Sequence, residues 1–95
     1  MGLYIHLVRL TDEGVRRVGE MKKLLEDNRK LIEKHGGRVV HAYSTLGRYD
    51  LVAVLDVPDD AAAMQLSAAI AAKGIFRPET LVATRLQEFA ATVSK

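Results

Sequence analysis

The sequence predicts an α+β domain of ferredoxin-like β-α-β-β-α-β topology, a four-stranded antiparallel sheet with two helices on one face. Two observations carry this. Apolar extended runs and segments of helical periodicity alternate along the chain, and the middle two extended runs are separated only by Gly47-Arg48. In that order, right-handed crossovers place both helices against the same side of the sheet.

The first strand runs from Leu3 to Leu10. Leu3, Ile5 and Leu7 lie on one side of its pleat and Tyr4, His6 and Val8 on the other, so neither side is plainly polar and the strand belongs in the middle of a sheet. Thr11 suits an N-cap, with Asp12 and Glu13 near the positive end of the helix that follows. There Val15, Val18, Met21, Leu25, Asn28 and Ile32 recur at helical spacing, Leu24 and Leu31 widen the stripe, and His35-Gly36-Gly37 ends it. Gly14 and Gly19 each weaken a helix by about 1 kcal/mol relative to Ala, which predicts irregular first turns.

Arg38 to Leu46 and Tyr49 to Val57 read as a hairpin, with Gly47 at the first position of a two-residue type II′ turn. Pairing Leu46 with Tyr49 puts Val40, Ala42, Ser44, Leu51, Ala53 and Leu55 on one face. Val39, His41, Tyr43, Asp50, Val52, Val54 and Asp56 then take the other. Pro58-Asp59-Asp60 closes the strand and caps an Ala-rich helix over 61–73 that Gly74 ends. The last strand is best formed from Thr80 to Leu86, and 87–95 is expected to be a short helix or a loose tail. The whole chain, 1–95, reads as a single domain.

Composition narrows the function. The chain is 48% hydrophobic with no Trp and no Cys, which suits a packed domain without disulfides or thiolate chemistry and fits a cytoplasmic location. No apolar stretch is long enough for a membrane helix. The net charge is +2, and the basic residues of the first helix alternate with Glu13, Glu20, Glu26, Asp27 and Glu33, so the pattern is a solvated face and not a nucleic-acid track. No phosphate-binding loop or nucleophile elbow occurs, and the three His lack metal-ligand spacing; neither a metal nor a cofactor is expected.

A single-sided sheet alternates apolar with polar residues, and both faces of this hairpin are too apolar for that. The face away from the helices is therefore expected to meet a second copy through Val39, His41, Tyr43, Val52 and Val54, making a homodimer or higher homo-oligomer.

The segment Thr45-Leu46-Gly47-Arg48-Tyr49-Asp50, followed by an apolar strand and Pro58-Asp59-Asp60, resembles the GYD domain family. Tyr4-Ile5, Leu10-Thr11-Asp12-Glu13-Gly14, Gly36-Gly37 and Glu79-Thr80-Leu81 match it as well. The resemblance implies a dimeric α/β barrel, broadly similar to cofactor-free monooxygenase-like domains and to the effector-binding domain of leucine-responsive regulators. It implies no reaction.

His6, His41 and Tyr43 are the candidate proton-handling set, since imidazole titrates near neutral pH. Arg48, Tyr49 and Asp50 are candidates for contacting a small-molecule ligand, although Gly47, Tyr49 and Asp50 each have a structural use at a turn. The first functional expectation is a small-ligand-binding or interaction and sensing module. The alternative is a cofactor-independent monooxygenase- or isomerase-like enzyme acting on a small organic substrate.

Overall fold

The computed structural model describes residues 2–94; Met1 and Lys95, the ends of the expected 1–95 domain and of its 87–95 tail, lie outside it. The chain forms β1 (Gly2–Leu10), α1 (Asp12–Arg16), a single 3-10 turn (Val18–Glu20), α2 (Met21–Lys34), β2 (Arg38–Ser44), β3 (Leu51–Val57), α3 (Asp60–Ala72), β4 (Phe76–Ala83) and α4 (Leu86–Val93). The strands make one antiparallel sheet in the order β2-β3-β1-β4, with β1 central as its two apolar sides require. This is the ferredoxin-like α+β architecture.

Caps fall where short polar side chains precede helical periodicity. Thr11 Oγ1 accepts from the Gly14 amide at 3.0 Å, and Asp59 Oδ1 accepts from Ala62 at 2.8 Å. Between Arg17 and Glu20 the helical path tightens into the 3-10 turn around Gly19, the irregularity the two glycines predict. The core-facing stripe is narrower than the sequence suggests. Leu24 and Ile32 are buried, whereas Val15, Val18 and Leu25 stay exposed.

Antiparallel pairing sorts the strand residues. Tyr4, His6 and Val8 lie opposite Leu55, Ala53 and Leu51 on β3 and opposite Val82, Thr80 and Pro78 on β4. On this side they join Leu66 and Ile70 of α3, Leu24 and Ile32 of α2, and Phe76 in a single buried core. The reverse side carries Leu3, Ile5 and Leu7 beside Asp56, Val54 and Val52, and no helix covers it.

The hairpin differs from expectation in two ways. Thr45 and Asp50 still pair, through Thr45 N–H to the Asp50 carbonyl at 2.9 Å, so the register of Ser44 with Leu51 is the predicted one. However, β2 ends at Ser44, and the connection is a four-residue loop, Leu46 to Tyr49, in place of the two-residue turn. The Thr45 hydroxyl captures the Tyr49 carbonyl at 2.6 Å, which closes the wider loop, and Gly47 supplies the positive φ of 105°.

The second difference is a register shift between Val39 and His41 that pairs Val39 with Leu55. One extra residue in a strand reverses every face assignment beyond it. Val39, expected on the open face, therefore belongs with the helix side.

Candidate functional site

Two surfaces stand out, one on each side of the sheet. The open face presents Ile5, Leu7, Val52 and Val54 in its centre and His41 and Tyr43 on the edge strand β2. The His41 and Tyr43 rings lie nearly parallel with centroids 6.4 Å apart, as residues two apart on one strand face do. Asp56 shares this face. Its Oδ2 is 3.5 Å from the Arg38 guanidinium, while Oδ1 is buried without a hydrogen-bond partner among the described residues. A shielded carboxylate oxygen left without a donor is costly in a finished structure.

On the other side, α3 covers β4 and the centre of the sheet, and α2 leans towards β2 without closing over it. The result is an open groove of about 540 Å³, walled by Leu25 and Ile32 of α2 and by Val39, Ala42 and Ala53 of the sheet. Lys22, Glu26 and Arg29 stand at its rim. Arg29 is held by Glu26 and Glu33, and the Glu26 carboxyl falls below the usual carboxylate range through its hydrogen bond to Arg29.

His6 lies at the groove floor, 3% exposed. Its Nε2 is 3.4 Å from Ser67 Oγ, which in turn sits 2.5 Å from Thr80 Oγ1. His6 thus faces α3, whereas His41 and Tyr43 face away from the helices. By strand alternation the sheet lies between His6 and the His41–Tyr43 pair, so the fold does not bring the three expected proton-handling side chains together in one chain. Ser67, which His6 meets directly, and Thr80, to which it is hydrogen-bonded only through Ser67, are uncharged and come from α3 and β4; no spacing in the sequence links them.

Burial pushes the His6 imidazole below its ordinary value of 6.5, so the fold holds it neutral. Between that lowered value and 6.5 the unfolded chain binds more protons than the folded one, and stability therefore rises with pH across this window. Urea unfolding from about pH 7 to pH 5 should show the parent losing stability as pH falls below 6.5 and His6→Gln following a flatter slope. Parallel slopes would mean that His6 exchanges protons equally in both states.

The loop candidates are engaged in holding the hairpin to β1. Asp50 donates its amide to the Val8 carbonyl at 2.8 Å, and its Oδ2 accepts from the Leu10 amide at 2.8 Å. Tyr49 reaches Glu79 through its hydroxyl at 3.3 Å, under the Arg9 guanidinium 5.3 Å from the ring centre. Arg48 flanks the same ring at 6.0 Å. A second polar pair absent from the expected set, Tyr4 with Asp60, ties β1 to the start of α3 at 2.6 Å. That hydrogen bond, with burial, pushes the Tyr4 phenol up to about 12.

Among the described residues no three His, Asp or Glu side chains converge as metal ligands, and no helix is long and apolar enough to cross a membrane.

Comparison with known proteins adds two findings. A family model described as the GYD domain matches residues 4–93. A protein of Thermus thermophilus, described as a glutamine synthetase and cystathionine beta-lyase binding protein, is 34% identical over 84 residues, covering 87% of this chain and 88% of the relative.

Proposed function

Because the chain belongs to the GYD domain family, we propose that it is an interaction module: a homo-oligomer, paired through the open face of its sheet, that binds an enzyme as its partner. The observation that carries the pairing is the composition of that face. Val52 and Val54 sit beside Leu7 and Ile5 with no covering element, and apolar surface of this kind is stabilised by exclusion from water, at about 25 cal/mol per Å². Isologous pairing of one self-complementary patch is the commonest closed arrangement.

The partner half of the reading is supported by the relative's description as a binding protein for glutamine synthetase and cystathionine beta-lyase. It is also supported by the separation of His6 from His41 and Tyr43, which leaves the enzymatic alternative without a converged acid-base group. Sedimentation equilibrium at micromolar concentration should give twice the 10.5 kDa chain mass or a higher multiple. Immobilised chain should retain purified glutamine synthetase or cystathionine beta-lyase. A monomer would remove the pairing, and failure to retain either enzyme would remove the partner assignment.

A further inference from the structure

We propose that α4 is an exchange arm, which seats its apolar stripe in the groove between α2 and β2 of a second copy. The inference rests on the pairing proposed above and specifies what completes it.

Every residue of α4 is exposed. Leu86, Phe89, Ala90 and Val93 nonetheless follow the i, i+3, i+4, i+7 spacing of a core-facing stripe, with Phe89 53% and Leu86 78% exposed. An eight-residue helix does not sustain itself in water, where isolated helices below about 12–15 residues are marginal; tertiary contact normally supplies the missing stability. The stripe therefore lacks its partner. The groove is the complementary defect: an apolar trough on the same chain with no element in it.

The two cannot readily meet within one chain. α4 follows β4, at one edge of the sheet, whereas the groove lies against β2 at the other, with β1 and β3 between them. Only Thr84 and Arg85 link α4 to β4, a reach of about 11 Å from Ala83 to Leu86, against about 14 Å between the edge strands. α3, packed on β4, blocks the path over the helix side. A second copy has no such restriction, and exchange in both directions fills two grooves at once.

Area points the same way. Four strands about 4.8 Å apart and about seven residues long have a flat projection of roughly 440 Å² per copy, or about 900 Å² for the pair, which places the sheet contact towards the small end of stable interfaces, whose buried accessible surface is about 1,200–2,000 Å². Two seated arms enlarge that contact. Charge does not oppose this: Lys22 at the groove rim makes no ion pair among the described residues, while Glu88 beside the stripe is already paired with the neighbouring Arg85 at 3.6 Å.

The chain has no cysteine, which makes the test specific. Phe89→Cys and Ala42→Cys chains, mixed and oxidised with copper-phenanthroline, should form a disulfide joining one variant to the other. Deletion of 84–95 should weaken association by at least tenfold. A dimer that gives no such mixed disulfide, a double variant that bonds only within one chain, or a deletion that leaves the dissociation constant unchanged would each overturn the arm. A deletion that leaves the pair intact and abolishes enzyme retention would assign the stripe to the enzyme, also overturning it. A monomeric parent insensitive to Val52→Glu would instead show that the pairing itself is wrong.

Discussion

A Val52→Glu chain is expected to sediment as a 10.5 kDa monomer at concentrations where the parent is associated. Val52 lies in the middle of the open face, paired with Leu7 on one side and Tyr43 on the other. In a single chain a glutamate there points to water, so the fold should tolerate it and the far-ultraviolet circular dichroism should not change. In the pair the carboxylate would be desolvated. Burying a charge without a partner costs several kcal/mol, and about 3 kcal/mol already weakens association by more than a hundredfold. Leu46→Glu is the control, because Leu46 is fully exposed on the hairpin loop and remote from the face. Equal masses for parent and Val52→Glu would exclude the open face as the contact.

Asp50→Ala is expected to lower the unfolding free energy by about 1–3 kcal/mol, the cost of leaving a partly buried donor without its acceptor. The Leu10 amide, at the end of β1 where the chain turns into α1, has the Asp50 carboxylate as its acceptor. Asp50→Asn retains an amide oxygen in nearly the same place, so its loss should be less than half as large. The comparison is a urea midpoint at fixed protein concentration, since an associating chain gains apparent stability with concentration. Midpoints for Asp50→Ala and parent that coincide would show that this aspartate does not serve the fold and return it to the candidates for ligand contact.

The two predictions concern residues of very different legibility. The placement of Val52 and Val54 opposite Leu51, Ala53 and Leu55 follows from strand alternation alone, and the structure retains it. His41 and Tyr43 fall with Val52 and Val54 by the same rule. Asp50 was visible as a turn residue, but its acceptor role depends on Leu10, forty positions away, and no local pattern encodes that contact. The separation of His6 from His41 was half legible. The hairpin register already put Ala42 and Ala53 on the side opposite His41; that His6 pairs with Ala53 is a fact of the β1–β3 register, which sequence periodicity leaves open.

The face of Val39 shows a sharper limit. Val39 is followed by a second valine, Val40, so nothing marks the single extra residue that shifts the pairing and turns it towards the helices. The hairpin loop is similar: Gly47 signals a turn, while its length follows from Thr45 capturing the Tyr49 carbonyl and Asp50 being drawn to β1.

Element order, helix caps, the ferredoxin-like topology and the presence of apolar residues on both sides of the sheet could all be read from the chain. They depend on periodicity and on contacts within a few residues, which local sequence encodes. The location of the groove, the burial of His6, the orphaned Asp56 oxygen and the isolation of α4 could not. They arise where segments distant in sequence meet or fail to meet, and small changes in register or helix tilt decide which surfaces remain uncovered.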